Sequence, residues 1–182
     1  MKNLSFFFIL LSVFVMIQGC SNTSEQVDDA AVVKPVVYNP NSSAYIAAVQ
    51  QLVDAMLAGD SVALTALTTD DFVSIYVTNP MDTINKEDFI QDWVSFQTSR
   101  SDQQNERVAA SALKVNEGDF VGDWVQYWGN YSAYMVDADT TIWIPYFVNL
   151  ELSEGKISKM FSYYDRVPIW QAVGYQITPP GQ

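Results

Sequence analysis

The apolar positions change their period along the chain, and each change marks an element. Leu4 to Ile17 is almost wholly apolar and carries no charge. From Ser21 to Pro40 no period holds. From there Tyr45, Val49, Leu52, Val53 and Met56 recur at helical spacing, which predicts a first helix over Ser42 to Ala58. Asn41, Ser42 and Ser43 offer N-caps, and Gly59 suits the left-handed residue that ends a helix. Asp60 then caps a short second helix that runs through Leu67 and buries Val62, Leu64 and Leu67. Asp71 to Thr78 reads as a strand, broken by Asn79-Pro80. A third helix starts near Asn85, with Asp88 three residues on as a capping-box variant and Phe89, Ile90, Trp93 and Val94 as its apolar face.

Beyond that helix the period drops to two. Residues 104–116, 121–136, 141–153 and 156–164 read as long strands rich in aromatic and β-branched side chains. Glu117-Gly118-Asp119, Asp137-Ala138-Asp139 and Ser153-Glu154-Gly155 mark the turns, so consecutive strands form an antiparallel meander. A short last helix is expected from Val167 to Val173. Helices first and a sheet afterwards is an α+β layout.

The N-terminal run is too short to span a bilayer comfortably, which takes ~20 apolar residues. With Lys2 before it and small residues after it, the run reads as a signal segment. Ile17-Gln18-Gly19-Cys20 resembles the bacterial lipobox, with Gln18 larger than is usual at its position. The resemblance implies cleavage before Cys20, diacylglycerol on its sulfur and an acyl chain such as palmitate on its amine. Several chains make a stable anchor where one does not, at ~0.8 kcal/mol per buried methylene. The expected place is a bacterial membrane, the outer one foremost, with the domain on its periplasmic or surface face. The expected layout is a signal peptide at 1–19, a lipidated cysteine and flexible tether at 20–40, one domain at 41–176 and a frayed tail at 177–182.

Composition narrows the chemistry. The formal net charge is -12 and histidine is absent. Such acidity argues against nucleic-acid binding, since a phosphate backbone is repelled. Without histidine there is no Ser-His-Asp or Cys-His site, and the commonest metal ligand is missing. Cys20 is the single cysteine, so no intramolecular disulfide forms, and no metal or cofactor is expected.

Three stretches carry a second resemblance: Leu57-Ala58-Gly59-Asp60 with Leu64, Leu67, Asp70, Asp71 and Phe72; Ile84 to Trp93; and Gly155-Lys156-Ile157 followed by Phe161-Ser162-Tyr163-Tyr164-Asp165. Their order and spacing resemble the SnoaL-like domains of the nuclear-transport-factor-2-like superfamily. That resemblance implies a cone, in which a strongly bent antiparallel sheet packs on three N-terminal helices around a pocket. It also implies frequent homodimers through the outer sheet face. Enzymes of the family carry an acid on the last strand, and in this chain Ser162 falls at that position and Phe161 where an arginine stands.

A serine hydroxyl does not replace a carboxylate as general base without an activating partner. The expectation is therefore a domain without catalysis that binds a small apolar or aromatic ligand or a protein partner. Tyr76, Trp93, Trp128, Tyr146, Ser162 and Tyr164 are the candidate pocket residues. The alternative is a lyase, isomerase or hydrolase of small molecules with Asp165 or Tyr76 as acid or base. Against it, an Asp just before an apolar helical stretch is a common helix cap.

Overall fold

The computed structural model describes residues 34–76, 83–176 and 178. The chain divides into two units, 1–33 and 34–182, and every described residue belongs to the second. The signal segment, Cys20, most of the tether, the Asn79-Pro80 break and most of the tail lie outside the described residues.

The order is β1 (Val36–Tyr38), α1 (Ser42–Ala58), α2 (Ser61–Leu67), β2 (Thr68–Tyr76), β3 (Thr83–Asn85), α3 (Lys86–Ser99), β4 (Arg100–Val115), β5 (Gly122–Met135), β6 (Thr140–Ser153), β7 (Lys156–Tyr164) and α4 (Val167–Ala172). This is the expected α+β architecture, with the strands in one sheet ordered β1-β4-β5-β6-β7-β2-β3. The sheet is mixed, because β2 lies parallel to β7 while every other pair is antiparallel. Register shifts interrupt β4 at Ser101/Gln104 and Arg107/Ala109 and the β6–β7 pair at Glu151/Leu152. Bulges of this kind bend and twist a strand, which is how a flat meander becomes a cone.

Local chemistry accounts for the helix ends. Gly59 has φ 61°, the left-handed conformation that a side chain disfavours, and it closes α1. The Asp60 carboxylate accepts from the Val62 and Ala63 amides at 3.0 and 2.9 Å and opens α2. At the start of α3, Asn85 Oδ1 accepts from the Asp88 amide at 2.9 Å, and its Nδ2 donates to the Asp88 carboxylate at 3.0 Å. Asn41 makes no side-chain cap. Asn39 Oδ1 instead accepts from the Asn41 amide at 2.9 Å, so the turn into α1 is set two residues earlier than expected.

The reading of 20–40 as a tether needs correction at its end. Val36, Val37 and Tyr38 pair with Val115, Lys114 and Leu113 at the sheet edge. Asn39 is buried, donates to Asp123 at 2.6 Å, and bonds through its backbone to Ala112. Tyr45 on α1 donates to the same Asp123 carboxylate at 3.1 Å.

Two buried clusters hold the inner face. The larger joins Val49, Leu52 and Val53 of α1, Leu64 of α2 and Phe89 of α3 to the strands through Tyr127, Leu150, Ile157 and other residues. The smaller joins Ala133, Met135, Ile142 and Ile144 at the far ends of β5 and β6, against Ile169 and Ala172 of α4. Period-two alternation sends a second set of aromatics to the outer face. Trp128, Phe147 and Tyr163 form a row across β5, β6 and β7 with ring centroids 4.9 and 5.4 Å apart.

Candidate functional site

A cavity opens where the two clusters meet. Its floor is apolar: Leu52 and Val53 of α1 face Val148 and Leu150 of β6 and Met160 of β7. Ser162 joins them from β7 and is 6% exposed. Half-buried residues make the rim: Tyr76 at the end of β2, Trp93 and Phe96 on α3, Tyr131 on β5, Tyr164 on β7 and Ile169 on α4. The cavity measures about 140 Å³. An apolar cavity of ~150 Å³ takes up benzene, so this one matches a ligand built on a single ring.

Two polar side chains of the wall, Tyr146 and Asn105, belong to one chain of hydrogen bonds. Tyr146 donates to Asn105 Oδ1 at 2.5 Å, Asn105 Nδ2 donates to the Tyr127 hydroxyl at 2.8 Å, and Tyr127 donates to Gln50 Oε1 at 3.0 Å. Asn105 therefore spends its amide on two tyrosines, and the chain rigidifies the wall. Tyr146 and Tyr127 also stack, with centroids 6.1 Å apart. Burial, followed by the neighbouring Tyr127, pushes the Tyr146 phenol upward and keeps it protonated.

The rim holds the charge. Arg100 lies at the junction of α3 and β4, with its guanidinium carbon 3.6 Å from the Phe96 ring centroid. Its Nη1 donates to the Tyr131 hydroxyl at 3.3 Å, and the Tyr131 hydroxyl in turn donates to Gln103 Oε1 at 2.8 Å. On the opposite side Tyr76 and Tyr164 meet edge to face at 6.3 Å, with Arg166 5.0 Å from the Tyr76 ring. Burial first, then Tyr164 and Asp92, push the Tyr76 phenol up to about 12 against the pull of Arg166 and Arg100. A phenol in that state donates a proton or a hydrogen bond and does not act as a base near neutral pH. Among the described residues no Asp or Glu lines the cavity. Among the described residues no group of three or more His, Cys, Asp or Glu could hold a metal ion.

Five of the six candidate pocket residues, Tyr76, Trp93, Tyr146, Ser162 and Tyr164, line this cavity. Trp128 does not: it belongs to the outer row and is 37% exposed. Its place follows from register. Trp128 pairs with Phe147, whereas Tyr146 pairs with Gly129, and neighbours one residue apart on a strand point to opposite faces. Asp165 also lies outside the cavity. It is exposed, and its carboxylate accepts from the Val167 amide at 2.9 Å at the start of α4. Arg100, Asn105 and Tyr131 are wall residues that the sequence reading does not include among its candidates. The only available signal was that Arg100 and Asn105 sit in the polar stretch 100–107 immediately before strongly alternating residues.

No protein-family model matches the chain, and no curated protein is similar to it in sequence. Solved structures do match. A protein of Jannaschia sp. CCS1 assigned as a SnoaL-like polyketide cyclase superposes with TM-score 0.61 and 14% identity, covering 78% of this chain and 99% of its own. An LEH-like epoxide hydrolase of M. tuberculosis gives TM-score 0.57 at 16% identity over 73% of this chain and 91% of its own. A Catenulispora acidiphila protein with a ketosteroid isomerase-like fold, solved with trimethylamine, gives 0.56 at 17% identity over 72% and 97%. The fold is SnoaL-like, of the nuclear-transport-factor-2-like type. At these identities the likeness establishes the fold and leaves the chemistry to the residues of this chain.

Proposed function

We propose that this domain binds a small apolar or aromatic ligand in its cone and performs no chemistry on it. The observation that carries this reading is the cavity wall, which is mostly apolar, holds Ser162 where enzymes of the resembling family carry an acid, and contains no carboxylate among the described residues. Acid–base chemistry at a buried centre needs a titratable group poised near the working pH. The wall offers phenols held protonated and an arginine, neither of which fits that need. Titration with one-ring compounds, followed by isothermal calorimetry, tests the reading. Saturable binding that disappears when Met160→Trp fills the floor supports it.

The same proposal includes the membrane. Anchoring through lipid on Cys20, after cleavage of the 1–19 signal, fits the Ile17-Gln18-Gly19-Cys20 motif. Mass spectrometry of the mature N-terminus from membranes tests it, the acylated peptide being the expected product. A homodimer through the outer face fits the row Trp128, Phe147 and Tyr163, with Trp143 57% exposed nearby. Sedimentation as a monomer at micromolar concentration would count against that dimer.

A second reading keeps an enzyme of small molecules with Tyr76 as proton donor, because its phenol stays protonated up to about 12 and stands on the cavity rim. Turnover of a small epoxide or carbonyl compound that is lost in Tyr76→Phe would replace the binding-only reading.

A further inference from the structure

A cation in an apolar wall calls for a partner, and Arg100 has little of one. It is the single charged residue lining the cavity among the described residues. Of its five N–H donors, Nη1 reaches the Tyr131 hydroxyl, at a long 3.3 Å. The Nε atom is buried and meets no acceptor among the described residues. No salt bridge among the described residues includes it; the ion pairs there are Lys86–Asp70 and Lys159–Glu151. Stacking on Phe96 offsets part of the cost of drawing a guanidinium out of water. It leaves the planar fork without the acid it is shaped to take.

We infer that the cavity is built for a one-ring carboxylate, with the ring on the Leu52, Val148, Leu150 and Met160 floor and the carboxylate on the Arg100 guanidinium. The inference rests on the ligand-binding reading above and adds the ligand's charge to it. The volume of about 140 Å³ admits one ring with a short substituent. The protonated Tyr76 phenol stands on the same rim as a further donor for an anion. The groups around it pull both ways: Asp92 on α3 acts against negative charge near Tyr76, and Arg166 on the far side of that ring favours it. The chain's net charge of -12 repels anions at long range, so preference for one has to arise from contact at Arg100.

The test is a pair of nearly isosteric probes, benzoate and benzamide, titrated into the full chain and followed by ligand-observed NMR. Wild type is expected to bind benzoate at least tenfold more tightly than benzamide. Arg100→Gln brings the two within about twofold of each other, and Arg100→Lys retains part of the preference. Near-UV circular dichroism checks that each variant is folded, and the wild-type ratio stands as a test without either variant. Equal binding of both probes to wild type overturns the inference and leaves the ligand-binding reading in place. A tenfold preference that survives Arg100→Gln also overturns it. Absence of binding by both probes overturns the inference and the ligand-binding reading together.

Discussion

The ring of Tyr146 lies directly over Gly129. A Cβ at position 129 would meet the Tyr146 hydroxyl oxygen at 2.7 Å and two of its ring carbons at 2.8 Å. The two residues are register partners on β6 and β5. The missing side chain lets the phenol cross β5 and reach Asn105 on β4. Gly129→Ala is therefore expected to push the ring away, break that hydrogen bond and cost about 1–3 kcal/mol, as overpacking does. Urea denaturation measures the loss, and adding Tyr146→Leu to Gly129→Ala recovers part of it.

Asn105 serves two tyrosines, so removing it costs more than removing either hydroxyl. Asn105→Ala leaves the Tyr127 and Tyr146 hydroxyls short of partners in a part-buried wall. About 1–3 kcal/mol is expected for it, against ~1 kcal/mol for Tyr146→Phe. Equal losses from the two variants would mean that the chain of hydrogen bonds does not act as a unit.

Ser162→Asp places a carboxyl on the cavity floor, and the apolar surroundings are expected to resist it. The site is 6% exposed, and no acidic residue shares it among the described residues. Burial raises the new group's pKa above its unfolded value of ~3.9. The penalty is thus absent below about pH 4 and grows as the pH rises, reaching on the order of 3 kcal/mol at pH 7. Denaturation midpoints of variant and wild type should converge in acid and separate near neutrality.

Tyr76 gives a pH dependence at the other end of the scale. Its folded pKa of about 12 lies above a phenol's ordinary 10.0, mainly because of burial. A raised pKa contributes stability that is present below the unfolded value and is lost as pH rises through the folded one. Stability should fall between pH 10 and 12, and Tyr76→Phe should flatten that fall. Absorbance of ionised phenol in the native state should likewise lose a late step in the variant.

Much of this fold is legible in the chain because its signals are local. The stripe from Tyr45 to Met56, the Gly59 stop and the Asp60 and Asn85 caps each depend on neighbours within four residues. The alternation in β5 to β7 correctly separates Trp124 and Trp128 from Tyr127 and Tyr131. What alternation does not say is which face turns inward, or which residue stands opposite which. Trp128 was misplaced for that reason. The parallel pairing of β2 with β7 joins segments about 90 residues apart in sequence and has no local mark. β1 is three residues long and becomes a strand only because Val115, Lys114 and Leu113 present a free edge. Arg100 and Asn105 were hidden by the two bulges in β4, which change the face that a polar stretch presents.

The edge strand has a mechanical consequence. A load applied at residue 34 does not reach α1 first. It meets the β1–β4 hydrogen bonds, then the Asn39–Asp123 bond, and only after both have given way does it pull on the helix that floors the cavity. The first residues of the domain are thus placed as a strain relief, where the edge pairing takes up a pull at residue 34 before it reaches the cavity.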